Sequence, residues 1–345
     1  MTGSIGGRGW DLGFFFIGGT VLALAAGAVV LVAPALVVPL WLGWLALVDG
    51  PHLIATYTRT YLDARTRRER AAMLLGSLAW LLPGFVALAA GDVAFQLYLV
   101  AATLWSIHHN ARQSYGILAI YERHARAGAA ARRRDVGFLY LALWGMFALF
   151  LLGHPWNQRE LPVTLPSPVL DAMAIALAAA AALYLISVVR DLLRGADPRP
   201  ALFVLFPVVG VQAFALLVVA RWEPLVPHPA DPEQAFLAIA FIGGVVHGLQ
   251  YLGVVLAANR RRAAAQRRAY RPLLVYAALV AASLLYLVLN LGRGASPWGT
   301  FTEPGSLAAR VWLALYWGLF FHHYVLDAKI WRPHADAVVR AELGL

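Results

Sequence analysis

Apolar positions along this chain come in continuous blocks of Leu, Ala, Val and Phe, separated by short polar stretches. A helix needs about 20 mostly apolar residues to cross a bilayer. Ten segments meet that length: 12–33, 36–61, 71–91, 93–122, 136–153, 169–190, 201–220, 234–258, 272–292 and 307–331. Strands of a membrane barrel would instead alternate apolar and polar residues over about ten positions, which these blocks do not. The pattern predicts an all-α polytopic transmembrane bundle of about ten helices. No connecting stretch is long enough for a separate soluble domain, so residues 1–345 are expected to form a single integral-membrane domain.

The polar stretches are not equivalent. Arginine-rich clusters follow every even-numbered segment: "RTRRER", "RAGAAARRR", "RDLLRGADPR", "RRRAAAQRR" and finally "KIWRPH". The stretches after odd segments, such as "HPWNQRELPVTLPSP" and "GRGASPWGTFTEPGS", hold Pro, Gly and Trp with fewer positive charges. Loops rich in Lys and Arg stay on the cytoplasmic side, which predicts both termini inside and even-numbered helices running inward. The N-terminal segment has no small-residue cleavage site and is expected to be a retained first helix.

Composition agrees: 61% of residues are apolar, 13% are charged, and mean hydropathy is +0.68. The formal charge of +10 lies in the inter-helix clusters, where it complements anionic lipid headgroups, so no nucleic-acid partner is expected. The expected location is a bacterial inner membrane. Cysteine is absent, which excludes disulfides, thiolate-held clusters and covalent haem attachment. Any metal must be held by nitrogen and oxygen.

The candidate chemistry lies in the histidines. His124, His154, His228 and His334 fall at segment ends or in loops and read as interfacial polar residues. The other six, His52, His108, His109, His247, His322 and His323, interrupt apolar segments 2, 4, 8 and 10. Counted from the cytoplasmic ends at about 1.5 Å per residue, their depths differ by only about 9 Å, so all six fit one layer toward the cytoplasmic side. Four pairs share a helix face: Asp49 with His52, His109 with Gln113, His247 with Gln250, and His323 with Asp327. A ligating imidazole commonly gives its second N–H to a carboxylate or similar acceptor, so Asp49 and Asp327 are expected as ligands or orienting partners. Pro51, one residue before His52, removes a backbone hydrogen bond and is expected to free carbonyls there.

A charge at mid-membrane costs about 2.5–3.5 kcal/mol and therefore marks function at Asp49, Arg112 and Asp327. Arg59 and Lys329 are near enough to the surface to snorkel. Arg112, Gln113, Gln250 and Tyr251 are the candidate catalytic side chains around the metal. Tyr57, Trp105, Tyr115 and Tyr324 are expected to pack or to form the interfacial belt.

Imidazole and carboxylate without thiolate suit non-haem iron and O2 chemistry, with copper and haem b as alternatives. Six histidines and two aspartates exceed one ion's needs, so two non-haem irons are expected, bridged as in two-metal sites. A site inside the bilayer implies a hydrophobic, lipid-like substrate and, for hydroxylation or desaturation, an electron donor. Metal-free proton-coupled transport through the same residues is a further alternative.

The "GPH" of residues 50–52 and "HHYVLD" of residues 322–327 resemble segments of the histidine-rich membrane oxygenases, namely the desaturase and hydroxylase group and the Brp/Blh-type carotene dioxygenases. That resemblance implies an iron oxygenase of lipid-like substrates. The H-x-x-H-H boxes of desaturases are absent, and Leu53 replaces the Gly that follows Pro-His in the carotene-cleaving group. "HHNA" and "HHYVL" also resemble segments of haem-copper oxidases, which would imply an electron-transfer protein.

Overall fold

The computed structural model describes residues 3–154, 165–221, 232–291 and 306–345, and within them all regular structure is helical. The Pro-rich stretches that follow the fifth, seventh and ninth segments fall largely outside the described residues. In chain order the helices are α1 (Arg8–Val32), α2 (Pro34–Arg59), the short α3 (Ala64–Glu69), α4 (Ala71–Ala90), α5 (Asp92–His124), α6 (Ala129–Gly153), α7 (Ser167–Leu193), α8 (Arg199–Arg221), α9 (Pro232–Ala265), α10 (Pro272–Leu291), α11 (Leu307–Ile330) and α12 (Ala337–Leu343).

Every segment predicted from the apolar pattern falls on one of these helices. Seven of them, α1, α2, α4, α6, α7, α8 and α9, are long and apolar enough to span a membrane. α5 and α11 are longer than several of the seven, but their paired histidines and neighbouring polar groups dilute their apolar character.

The chain divides into two compact units. One holds residues 1–41 and 110–253, the other residues 42–109 and 254–345. In the first, Asp11 is buried and accepts from the backbone N–H of Ile5 and Gly6 and from the Tyr121 hydroxyl at 2.9–3.0 Å. These contacts anchor the entry of α1, where Phe16, Tyr121 and Phe203 also pack ring against ring.

In the second unit, α4 and α11 approach closely. A Cβ on Gly84 would lie 2.7 Å from Ala314 Cα, so only glycine allows this backbone separation. Tyr98 on α5 donates to the Ala314 carbonyl at 3.4 Å, tying a third helix to the same spot.

The ends of α2, α9 and α11 in this unit are fastened by charge. Glu342 on α12 is buried between Arg59 and Arg262, each 2.5 Å away, and Arg262 also pairs with Asp63. Asp336 caps α12 by accepting from Val338 and Val339 N–H while pairing with Arg65 and Arg70.

Candidate metal centre

The site begins with an irregular turn. Residues 45–49 of α2 form a π-helical turn, in which Gly50 N–H reaches back to the Leu45 carbonyl. In a regular α-helix the Ala46 carbonyl would take that N–H, and the Leu47 carbonyl would face Pro51, which has none to give. Both freed carbonyls meet a hydroxyl of α10: Tyr276 OH donates to Leu47 at 2.6 Å, and Ser283 Oγ shares its proton between Ala46 at 3.1 Å and the Val280 carbonyl of its own helix at 2.8 Å. Gly50 is required for this, because a Cβ there would lie 2.5 Å from Ser283 Cβ. The turn delivers His52 into the interior, 3% exposed.

Three helices of this unit then converge. His52 from α2, His109 from α5, and His323 with Asp327 from α11 each offer one ligand atom, and all four atoms lie within 4.8 Å of one another. All four residues are buried, His323 completely. Donors about 2.0–2.2 Å from one ion stand about 3.3–3.6 Å apart in a tetrahedron and at most about 4.4 Å apart across an octahedron. The His323 Nε2 to Asp327 Oδ2 separation of 3.6 Å falls on a tetrahedral edge. The His52 and His109 rings flank His323 at centroid distances of 4.6 and 5.2 Å. The group can hold a metal ion.

Hydrogen bonds fix which nitrogen of His323 faces the ion position. Thr56 Oγ1 donates its only proton to Asp327 Oδ1 at 2.9 Å and lies 2.8 Å from His323 Nδ1. Nδ1 must therefore carry the proton and donate it to Thr56, which leaves the Nε2 lone pair directed into the group. One buried hydroxyl thus sets the tautomer of His323 and anchors one oxygen of Asp327. Thr56 was absent from the sequence expectations, although its i+4 spacing from His52 places it on the same face.

His322 goes elsewhere. Tyr61 OH and Ser77 Oγ both donate to the Leu74 carbonyl, at 2.8 and 2.7 Å. His322 Nε2–H then donates to those two oxygens at 3.0 Å, and its Nδ1 accepts from Tyr57 OH at 3.3 Å. Adjacent helix residues point about 100° apart, and here that separates a ligand candidate from a ring held by hydroxyls.

The other expected site residues are placed as follows. Asp49 is buried on the π-turn but is not one of the four. His108 is exposed on the outer side of α5, as is Arg112, whose guanidinium lies 5.2 Å from the Tyr115 ring. His247 and Gln250 belong to the first unit, where with Asn110, Ser114 and Gln212 they line a small cavity, about 10 Å³, the size of one water. Gln113 Nε2 donates to the His247 carbonyl at 2.8 Å, and Tyr251 is buried nearby in sequence on α9.

Outside the spanning segments, two carboxylates hold pKa values below the ordinary range. Burial pushes Asp63 up, but the Thr66 backbone N–H and Arg262 outweigh it. For Asp336 burial is likewise outweighed, by the Val339 N–H, Arg65 and the Val338 N–H.

Fold and site together define an all-helical protein, with helices able to span a membrane, that carries a buried three-histidine, one-aspartate group able to bind a metal ion. No protein-family model, no curated protein and no solved structure matches the chain.

Proposed function

We propose that this protein is a membrane-embedded oxidoreductase that holds one non-haem iron at His52, His109, His323 and Asp327 and uses O2 on a lipid-like substrate. The observation that carries the reading is the convergence of those four donors, without thiolate, from three helices. Three imidazoles and a carboxylate are one ion's complement, so a single iron replaces the pair expected from the histidine count. Iron bound by nitrogen and carboxylate with positions left open is the setting for O2 activation. The chain's own residues hold the donors: Thr56 keeps the proton on His323 Nδ1, and Asp327 supplies the negative charge that an iron cation requires. Two imidazoles facing across a haem need a slot for the macrocycle between them, whereas here a third imidazole and a carboxylate enter the same 4.8 Å.

The arginine clusters favour ten membrane helices with both termini in the cytoplasm of a bacterial cell, and the centre in the inner half of its inner membrane. A substrate reaching such a site enters from the bilayer. The test is direct: purify the protein in detergent, measure bound metals, and record the visible spectrum. Iron near one equivalent, without an intense Soret band, is the expected result. A Soret band would make it a haem protein, and absence of any metal would favour a proton-coupled transporter.

A further inference from the structure

The metal group is joined to the outside of its unit by a continuous file of aromatic rings. His109 stacks on Tyr324 with centroids 4.1 Å apart and planes 19° apart. Tyr324 lies 6.0 Å from Trp105, and Trp105 lies 4.9 Å from Trp80. Tyr324 is buried, Trp105 half-buried, and Trp80 is 38% exposed. Trp80 is also at the middle of α4, a helix apolar enough to span a membrane, and with α4 in the bilayer its exposed ring would meet acyl chains. The file therefore runs from a proposed ligand to the lipid through two indoles, the most readily oxidised rings of a protein interior together with phenols.

Electron tunnelling falls steeply with distance, so short ring-to-ring steps carry charge far better than one long step through aliphatic packing. Other rings pack along α11, with Phe321 4.5 Å from Trp105 and Trp317 6.5 Å from Phe321, but Phe321 is not an oxidisable phenol or indole and Trp317 is buried, whereas Trp80 is an exposed indole next to Trp105.

We propose that Trp105 and Trp80 are an electron relay between the iron centre and a lipid-soluble reductant of the hydroquinone class. This rests on the reading of the group as an iron centre that activates O2. When an oxidising equivalent arises there without substrate to consume it, Trp105 gives one electron across the stacked Tyr324 ring, whose phenol keeps its proton. Trp80 refills Trp105, and the hydroquinone refills Trp80. Over a full reduction of one O2 to two waters, two hydroquinones give four electrons and four protons and leave two quinones. The relay thus supplies electrons to the centre and keeps oxidation away from its buried ligands.

The experiment uses the full-length protein in detergent, loaded with iron(II), exposed to O2 without substrate and frozen at intervals. The spectroscopic probe is electron paramagnetic resonance with ring-deuterated tryptophan; the chemical probe is mass spectrometry of oxidised side chains, with and without tetramethylhydroquinone. The wild type is expected to show a tryptophan radical and oxidation concentrated at Trp80, both suppressed by the hydroquinone. Trp105→Phe is expected to bind iron equally but to lose the radical and the Trp80 oxidation by at least an order of magnitude, shifting oxidation to residues around the ligands. Trp105→Tyr, which restores an oxidisable ring, is expected to recover much of the Trp80 oxidation, separating redox loss from misfolding. If the wild type binds no iron, both the iron reading and the relay fall. Iron binding and O2 consumption with the same Trp80 oxidation in Trp105→Phe, or with none in the wild type, overturn the relay alone.

Discussion

Replacing Thr56 by Val tests whether the tautomer of His323 is set as the hydrogen bonds indicate. The substitution keeps the β-branched shape and removes one hydroxyl, which in the native chain accepts from His323 Nδ1–H at 2.8 Å and donates to Asp327 Oδ1 at 2.9 Å. Thr56 is 0% exposed, so water does not take its place. Each buried group left without its partner costs about 1–3 kcal/mol. Loss of an orienting partner behind a metal ligand typically lowers affinity about 10–100-fold, or about 1.4–2.8 kcal/mol. Full burial places Thr56→Val toward the upper end of that range. The assay is a competition titration in detergent against a chelator of known affinity, run beside Thr56→Ser, which retains the hydroxyl. Thr56→Ser is expected to stay within a few-fold of the wild type. Equal affinity in Thr56→Val and the wild type, or equal losses in the two variants, would refute the assigned role.

His323→Ala and His109→Ala should each abolish tight metal binding, while His322→Ala, which removes a ring held by Tyr57, Tyr61 and Ser77, should leave metal content near the wild-type level by elemental analysis. Glu342→Gln leaves buried Arg59 without its counter-charge, while the half-buried Arg262 keeps Asp63, and should destabilise the fold by about 3 kcal/mol in denaturant titrations; no measurable change would mean the fastening is not coupled to folding. Asp63 and Asp336 have folded pKa values below their unfolded values, so their contribution is present above the ordinary carboxylate range and lost as pH falls through the lowered values. Thermal melting should therefore drop as pH is taken from 5 toward 3, by about the normal carboxylate range, and Asp336→Asn should flatten the drop.

The helices were legible because a bilayer demands long apolar blocks whatever the tertiary fold, and each predicted segment falls on a helix. His323 with Asp327 was legible too, since i,i+4 spacing on a helix fixes a shared face. What spacing does not encode is azimuth between helices. His108 and His109 are equally apolar-flanked in sequence, yet one is exposed and one enters the metal group. Equal depth does not make one shared site, because depth is only one coordinate: His322 shares it with His323 and points into hydroxyls. Thr56 escaped notice because threonines are common in helices and its role depends on α11, 267 residues away.

The π-turn of α2 has a consequence for how this chain can change over evolutionary time. Among the described residues, α10 gives no ligand to the metal group, yet Ser283 and Tyr276 reach the two carbonyls that Pro51 and the wide turn release, and Gly50 makes room for Ser283. These four positions act as one inherited unit. A lineage that loses Pro51 no longer needs the two hydroxyls, and one that fills Gly50 can no longer place them. Related chains should therefore keep Gly50, Pro51, Tyr276 and Ser283 together or lose them together, and their covariation would trace the position of His52 through residues that never touch a metal.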